Sequence, residues 1–125
     1  MDAPKKILLV EDAPQVAGIL ISKLRREGHQ VRWLRTGRGA LDALEGAGFD
    51  LAVLSTYLLP EKNAWEVLAE IRTKHPGLPV AMMLETEEAP LAWKAAGAGA
   101  CGVIQKPFKP SGVALQVRGW LAESA

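Results

Sequence analysis

Residues 5–14 read KKILLVEDAP, a short apolar run from Ile7 to Val10 that stops on two adjacent carboxylates, Glu11 and Asp12, just ahead of Pro14. An apolar run this short and this continuous reads as a strand covered on both faces, at the centre of a sheet. Pro14 then stands where proline is well tolerated, in the first turn of a helix. Four more short runs follow: HQVRWL (29–34), FDLAVLS (49–55), LPVAMML (78–84) and CGVIQ (101–105). The segments between them carry apolar residues at helical spacing. Such regular alternation predicts βαβ units around a parallel sheet. ILLV and VAMML belong inside that sheet, whereas HQVRWL alternates more and suits an edge.

Helical spacing puts Val16, Ile19, Leu20 and Leu24 on one buried face of a first helix that starts near Pro14 and ends at Gly28. A second helix groups Leu41 with Leu44 before Gly46 and Gly48. The third groups Val67, Leu68 and Ile71 before His75 and Pro76. A shorter fourth helix is expected from about Glu88 to Gly97, and a fifth from about Pro110 with Val113, Val117, Trp120 and Leu121 on one stripe.

The 125 residues are expected to form a single domain, 1–125, with one core. Fifteen basic against fourteen acidic residues leave no single-sign excess to draw nucleic acid or an anionic membrane. Cys101 is the only cysteine, which rules out an internal disulfide and fits a reducing cytoplasm. The first apolar run meets Glu11 and Asp12 too early for a signal peptide.

Right-handed crossovers would bring every strand's C-terminal end to one side of the sheet, where the functional crevice of such folds lies. Glu11, Asp12, Ser55, Leu84, Glu85 and Lys106 all stand at strand ends and should converge there. In their order and spacing, KKILLVEDAP, DLAVLSTYLLP (50–60) and AGACGVIQKPF (98–108) resemble the receiver domain of bacterial response regulators, from about Lys5 to Leu121. The resemblance implies a flavodoxin-like, doubly wound α/β fold: a five-stranded parallel sheet in the order 2-1-3-4-5, with two of five helices on one face and three on the other. It also implies a site in which an acidic pair and an acceptor aspartate hold Mg²⁺ while the aspartate takes a phosphoryl group from a kinase histidine.

At that site the chain departs from the family. Glu11 and Asp12 match the acidic pair. The acceptor position falls on Ser55 when counted from Asp50 and on Thr56 when counted back from Pro60, and neither is a carboxylate. A hydroxyl cannot form the acyl phosphate, and no histidine is in sight to activate it. The family's Ser/Thr contact to the phosphoryl group aligns with Leu84, next to Glu85. The aromatic switch residue aligns with Val103. Lys106, followed by Pro107 and Phe108, is retained; the resemblance implies a cis peptide before Pro107. With no phosphoryl group to bind, Lys106 is expected to pair with Asp12 or Glu11.

Trp33 and Trp120 fit apolar faces and read as core, and Cys101 as a buried inert thiol. His29 and His75 sit at turns and read as solvated. Trp65 and Trp93 fit the buried stripes less well. The resemblance places Trp93 near the surface of the fourth helix, fifth strand and fifth helix, through which the family binds partners or dimerises. The leading expectation is an atypical receiver in two-component signalling: a phosphorylation-independent interaction module, not an enzyme, cytoplasmic, without cofactor, and with Mg²⁺ binding at Glu11 and Asp12 weak or absent. Its partner would be a signalling protein or a second copy, with no role for nucleic acid or membrane. Two alternatives stand beside it, a small-molecule site in the same crevice and phosphorylation at an unusual acceptor. Glu11 and Asp12, where phosphate-binding sheets offer amides and hydroxyls, speak against the first.

Overall fold

The structure, a computed structural model, describes residues 4–56 and 63–123. Five strands alternate with helices: β1 (Lys6–Val10), α1 (Pro14–Arg26), β2 (Gln30–Leu34), α2 (Gly37–Gly46), β3 (Leu51–Ser55), α3 (Ala64–Lys74), β4 (Val80–Leu84), α4 (Ala92–Gly97), β5 (Gly102–Gln105) and α5 (Pro110–Glu123). A 3₁₀ segment, Thr86–Leu91, joins β4 to α4. All strand pairs are parallel and the order is β2-β1-β3-β4-β5, so this is the flavodoxin-like sheet expected from the sequence.

Burial explains the order. Every residue of β3 and β4 is buried, whereas β2 has none, as its interrupted apolar pattern requires of an edge. Strand alternation divides the core in two. Ile7, Leu9, Leu51, Val53, Met83 and Ile104 meet α1 and α5, and Leu8, Val10, Ala52, Leu54, Val80, Met82 and Leu84 meet α2 and α3.

Local signals set the helix ends. Pro14 begins α1, and Gly28, at φ 93°, turns the chain out of it in the left-handed region that glycine occupies at least cost. Thr36 and Asn63 cap α2 and α3, their side chains accepting from the N–H of Gly39 and Glu66, each at 3.0 Å.

Three expectations need correction. Ile19 is half exposed; the buried stripe of α1 runs through Ala17, Leu20 and Leu24, at i, i+3 and i+7, and Ile19 lies off it. The fourth helix is split, because Pro90 lacks the N–H a continuous α-helix would use, and the α-helical part starts only at Ala92. Trp33 and Trp120 are half-buried at the margin of the core rather than inside it.

Trp120 nevertheless sets a tight constraint. A Cβ at Gly102 would lie 2.5 Å from its Cζ2 and 2.8 Å from its Cε2 and Nε1, so the indole closes over bare backbone. Gly102→Ala should therefore cost about 1–3 kcal/mol by pushing the ring off β5. Urea unfolding of the variant checks this, and Trp120→Leu added to it should recover part of the loss.

Candidate functional site

The strand ends meet as expected, but Lys106 chooses its partners by sheet geometry rather than by sequence proximity within the acidic pair. Continuing the alternation of each strand by one position puts Glu11 after Leu9, Glu85 after Met83 and Lys106 after Ile104, all toward the α1/α5 side. The Lys106 ammonium accordingly donates to Glu11 Oε1 at 3.1 Å and to Glu85 Oε2 at 2.6 Å. Asp12, on the other side, is not a partner. Its carboxylate lies 3.8 Å from the Arg35 guanidinium, which donates to the Asp12 carbonyl at 3.0 Å. Of the two partners expected for Lys106, Glu11 is the one it pairs with and Asp12 is not, and Glu85 is a second partner the sequence did not suggest.

Glu11 is 2% exposed and held from several directions. Its Oε2 accepts from the Ala13 N–H at 3.0 Å and its carbonyl from the Trp33 indole at 2.8 Å; its own N–H donates to the Leu34 carbonyl at 3.0 Å. Burial lowers the Lys106 pKa, yet hydrogen bonds to Glu85 and Glu11, reinforced by their charge, outweigh it and hold the ammonium above its ordinary value. Both oxygens of Glu11 are therefore engaged, and Asp12 faces Arg35. Among the described residues no three His, Cys, Asp or Glu side chains are grouped to hold a metal ion.

Ser55 ends β3, the strand between β1 and β4. It is fully buried, and its hydroxyl has no hydrogen-bond partner among the described residues. Thr56 follows it out of the strand, with its N–H on the Met83 carbonyl at 3.0 Å. The Thr56 hydroxyl donates to Glu88 Oε1, which also accepts from the Glu85 N–H at 2.9 Å. Thr56 and Ser55 therefore do different things, one tied to the β4–α4 connection and the other enclosed in the sheet. Residues 57–62, on which the choice between the two alignments turns, lie outside the described residues.

Leu84 is fully buried among the α2/α3 side chains and Val103 packs against the same cluster. The Lys106–Pro107 peptide is cis. Trp93 is 74% exposed on α4, and Leu115 is exposed on α5. Trp65 is half-buried, with the Lys94 ammonium 4.4 Å from its ring centroid. Cys101 is exposed rather than buried, though desolvation by its surroundings raises its thiol to about 11, so it stays protonated at neutral pH. His29 and His75 are half-buried, not solvated; burial pulls His29 below its ordinary value despite Glu27 nearby.

Sequence reading missed Glu88. The signal was present, since Glu85 and Glu88 are three apart at a helix start and form a reciprocal capping box, each side chain accepting from the other's backbone N–H. Further bonds tie this connection to β5. Gln105 Nε2 donates to the Glu85 carbonyl at 3.0 Å, and Thr86 Oγ1 to the Lys106 carbonyl at 3.2 Å. Polar contacts dominate here because the 3₁₀ segment buries no side chain and α4 buries only Ala95. A buried methyl group is worth about 1 kcal/mol, against about 1–2 kcal/mol to order each backbone residue and about 1.5–3 kcal/mol for a hydrogen bond to a charged group.

The family model described as the response regulator receiver domain matches residues 7–118. Among curated proteins, the chain is similar to the transcriptional regulatory protein TcrA of Mycobacterium tuberculosis, 35% identical over 105 residues that cover 82% of this chain and 40% of TcrA. It is also similar to the response regulator protein PmrA of Pseudomonas aeruginosa, 34% identical over 115 residues that cover 90% of this chain and 51% of PmrA. Of solved structures, NtrX from Brucella abortus matches with a TM-score of 0.92 at 29% identity, over 98% of this chain and 28% of the NtrX chain. The chain spans about half or less of the length of these relatives.

Lys106→Met should lower stability by about 3 kcal/mol, because it leaves the Glu11 carboxylate buried and unpaired. Glu11→Gln in the same background should recover part of that, since the amide oxygen can keep the Ala13 bond without the charge. The raised Lys106 pKa fixes the pH window. Its contribution is complete below the ordinary lysine value of 10.5 and is lost as pH rises through the higher folded value. Unfolding free energies from urea melts between pH 7 and pH 12 should fall more steeply above pH 10.5 in the wild type than in Lys106→Met.

Proposed function

This chain belongs to the response regulator receiver family, and we propose that within two-component signalling it is an atypical member, a protein-interaction module that works without an aspartyl phosphate. The observation that carries this reading is the placement of the Lys106 ammonium between Glu11 and Glu85, with Ser55 at the end of the strand between them. A phosphoryl group arriving at this crevice would have to displace the Glu85 carboxylate from Lys106 while standing beside a second, buried carboxylate. Ser55 offers it a hydroxyl, which cannot form an acyl phosphate. Leu84 offers no hydrogen bond, and Val103 no ring that could move between inward and outward positions.

Mg²⁺ binding at Glu11 and Asp12 is weak or absent on this reading, because both Glu11 oxygens already accept a hydrogen bond, one of them from a competing ammonium, and Asp12 is turned to Arg35. No other cofactor is needed, and the domain has no enzymatic role. The interaction surface is the one formed by α4, β5 and α5, where Trp93 and Leu115 are exposed, and its partner is a signalling protein or a second copy of this chain. We place the domain in the cytoplasm, with no part in binding nucleic acid or membrane; none of its described helices is long and apolar enough to cross a bilayer.

Titration with Mg²⁺ and beryllium fluoride, an aspartyl-phosphate mimic, followed residue by residue by NMR tests this. Resonances of Ser55, Leu84 and Lys106 should stay unchanged at millimolar ligand, while those around Trp93 shift with protein concentration or with partner. Movement at the strand ends would overturn the phosphate-independent reading.

A further inference from the structure

The geometry points to Glu88 as a positioning residue that fixes the Trp93 surface by stapling the β4–α4 connection to the end of β3. This deepens the interaction-module reading, on which it rests for the use made of that surface.

Glu88 Oε1 sits at a junction of two backbone paths. It accepts from the Thr56 hydroxyl, the first residue beyond β3, and from the Glu85 N–H, the first residue beyond β4. Glu85 in turn accepts from Lys106 beyond β5 at 2.6 Å. Two carboxylates three residues apart thus join three neighbouring strand ends to one short connection. That connection leads directly into α4, and Trp93 is the second residue of α4.

Apolar packing does not do the same work. Thr86–Leu91 has no buried side chain, and Ala95 is the single buried residue of α4. Every other helix of the sheet buries at least three residues, as α1 does with Ala17, Leu20 and Leu24. An element with so little buried surface belongs to the low-stability end of a fold, and its position depends on the polar contacts at its entry. Glu88 makes the side-chain contact to β3, and Glu85, together with Thr86 and Gln105, makes those to β5. Removing one side leaves the connection hinged on the other, so α4 and its exposed indole lose a fixed orientation while the sheet remains intact.

Amide hydrogen exchange on the full chain, without Mg²⁺ or phosphoryl mimic, tests the inference in Glu88→Gln, Glu88→Ala and the near-isosteric Thr56→Val. Exchange over residues 86–97 should rise about tenfold in Glu88→Ala and Thr56→Val, while β1, β3 and α5 keep wild-type protection. Glu88→Gln, which retains an acceptor oxygen, should fall between these and the wild type. The double variant Thr56→Val/Glu88→Ala should be no worse than Glu88→Ala alone, as two changes to one bond require. The Trp93 indole resonance should broaden or move in the same variants. Unchanged exchange over 86–97, additive effects in the double variant, or a uniform loss of protection across the sheet would each overturn the assignment. A response of the wild type to beryllium fluoride bears on phosphate independence alone, so the two ideas fail separately.

Discussion

The ammonium of Lys106 is the point on which the strand ends depend. β5 lies at one edge of the sheet and β1 beyond β3 and β4, so the 3.1 Å contact from Lys106 to Glu11 spans most of the sheet's width. Along the way it takes the Glu85 carboxylate at 2.6 Å. Two carboxylates share one cation in a place where Glu11 has only 2% exposure, which makes the cation hard to remove. Taking charges out of water is costly, and the mutual attraction repays it only when the geometry is good and the remaining oxygens are satisfied. Here they are satisfied in part by the Ala13 N–H. The net gain over an apolar cluster is small, but the cost of breaking the set from one side is large, and that asymmetry is what holds the three strand ends in register.

The same feature divides the molecule into an apolar part and a polar part. α1, α3 and α5 are held by side chains that leave water on docking, and no rearrangement at the crevice would release them. The β4–α4 connection is held by Glu85, Glu88, Thr86 and Gln105 through bonds to strand ends. Its position is therefore sensitive to charge and to single oxygen atoms, in a way that the rest of the fold is not. Trp93 stands on this sensitive part. A large aromatic ring exposed on a helix with one buried residue is what the proposed contact surface requires, since no packing among the described residues accounts for it.

Much of the fold was legible because it depends on local patterns. The nearly continuous run in VAMML required cover on both faces, and QVRWL, with Gln30 and Arg32 interleaved, could only be an edge. Pro14 and Gly28 marked the limits of α1. The errors came where a residue's surroundings depend on a neighbour far away in sequence. Ile19 fits the helical stripe as well as Ala17 does, and only the approach of the sheet decides between them. Lys106 could be expected to find a carboxylate, but which one follows from alternation along β1 and β4 rather than from the order Glu11, Asp12. Glu88 lay in plain view as the third residue after Glu85, yet its link to Thr56 crosses 32 positions. Cys101 reads as a buried thiol when no histidine adjoins it, although it stands just before β5 and is exposed.

If the acceptor position is Ser55, as one of the two alignments has it, the residue belongs to this charge arrangement. A carboxylate placed there would be fully buried at the end of β3, between the strands that carry Glu11 and Glu85, with one ammonium for three negative groups. Burial and both neighbours would push its pKa up, so it would either hold a proton or destabilise the fold near neutral pH. A divalent cation relieving that repulsion would compete with Lys106 and the Ala13 N–H for the Glu11 oxygens. The neutral hydroxyl of Ser55 and the carboxylate of Glu85 therefore fit one another. On the proposed reading, Glu85 as the second partner of Lys106 supplies the crevice's anion, and an acidic residue at position 55 would add a further negative charge beside it.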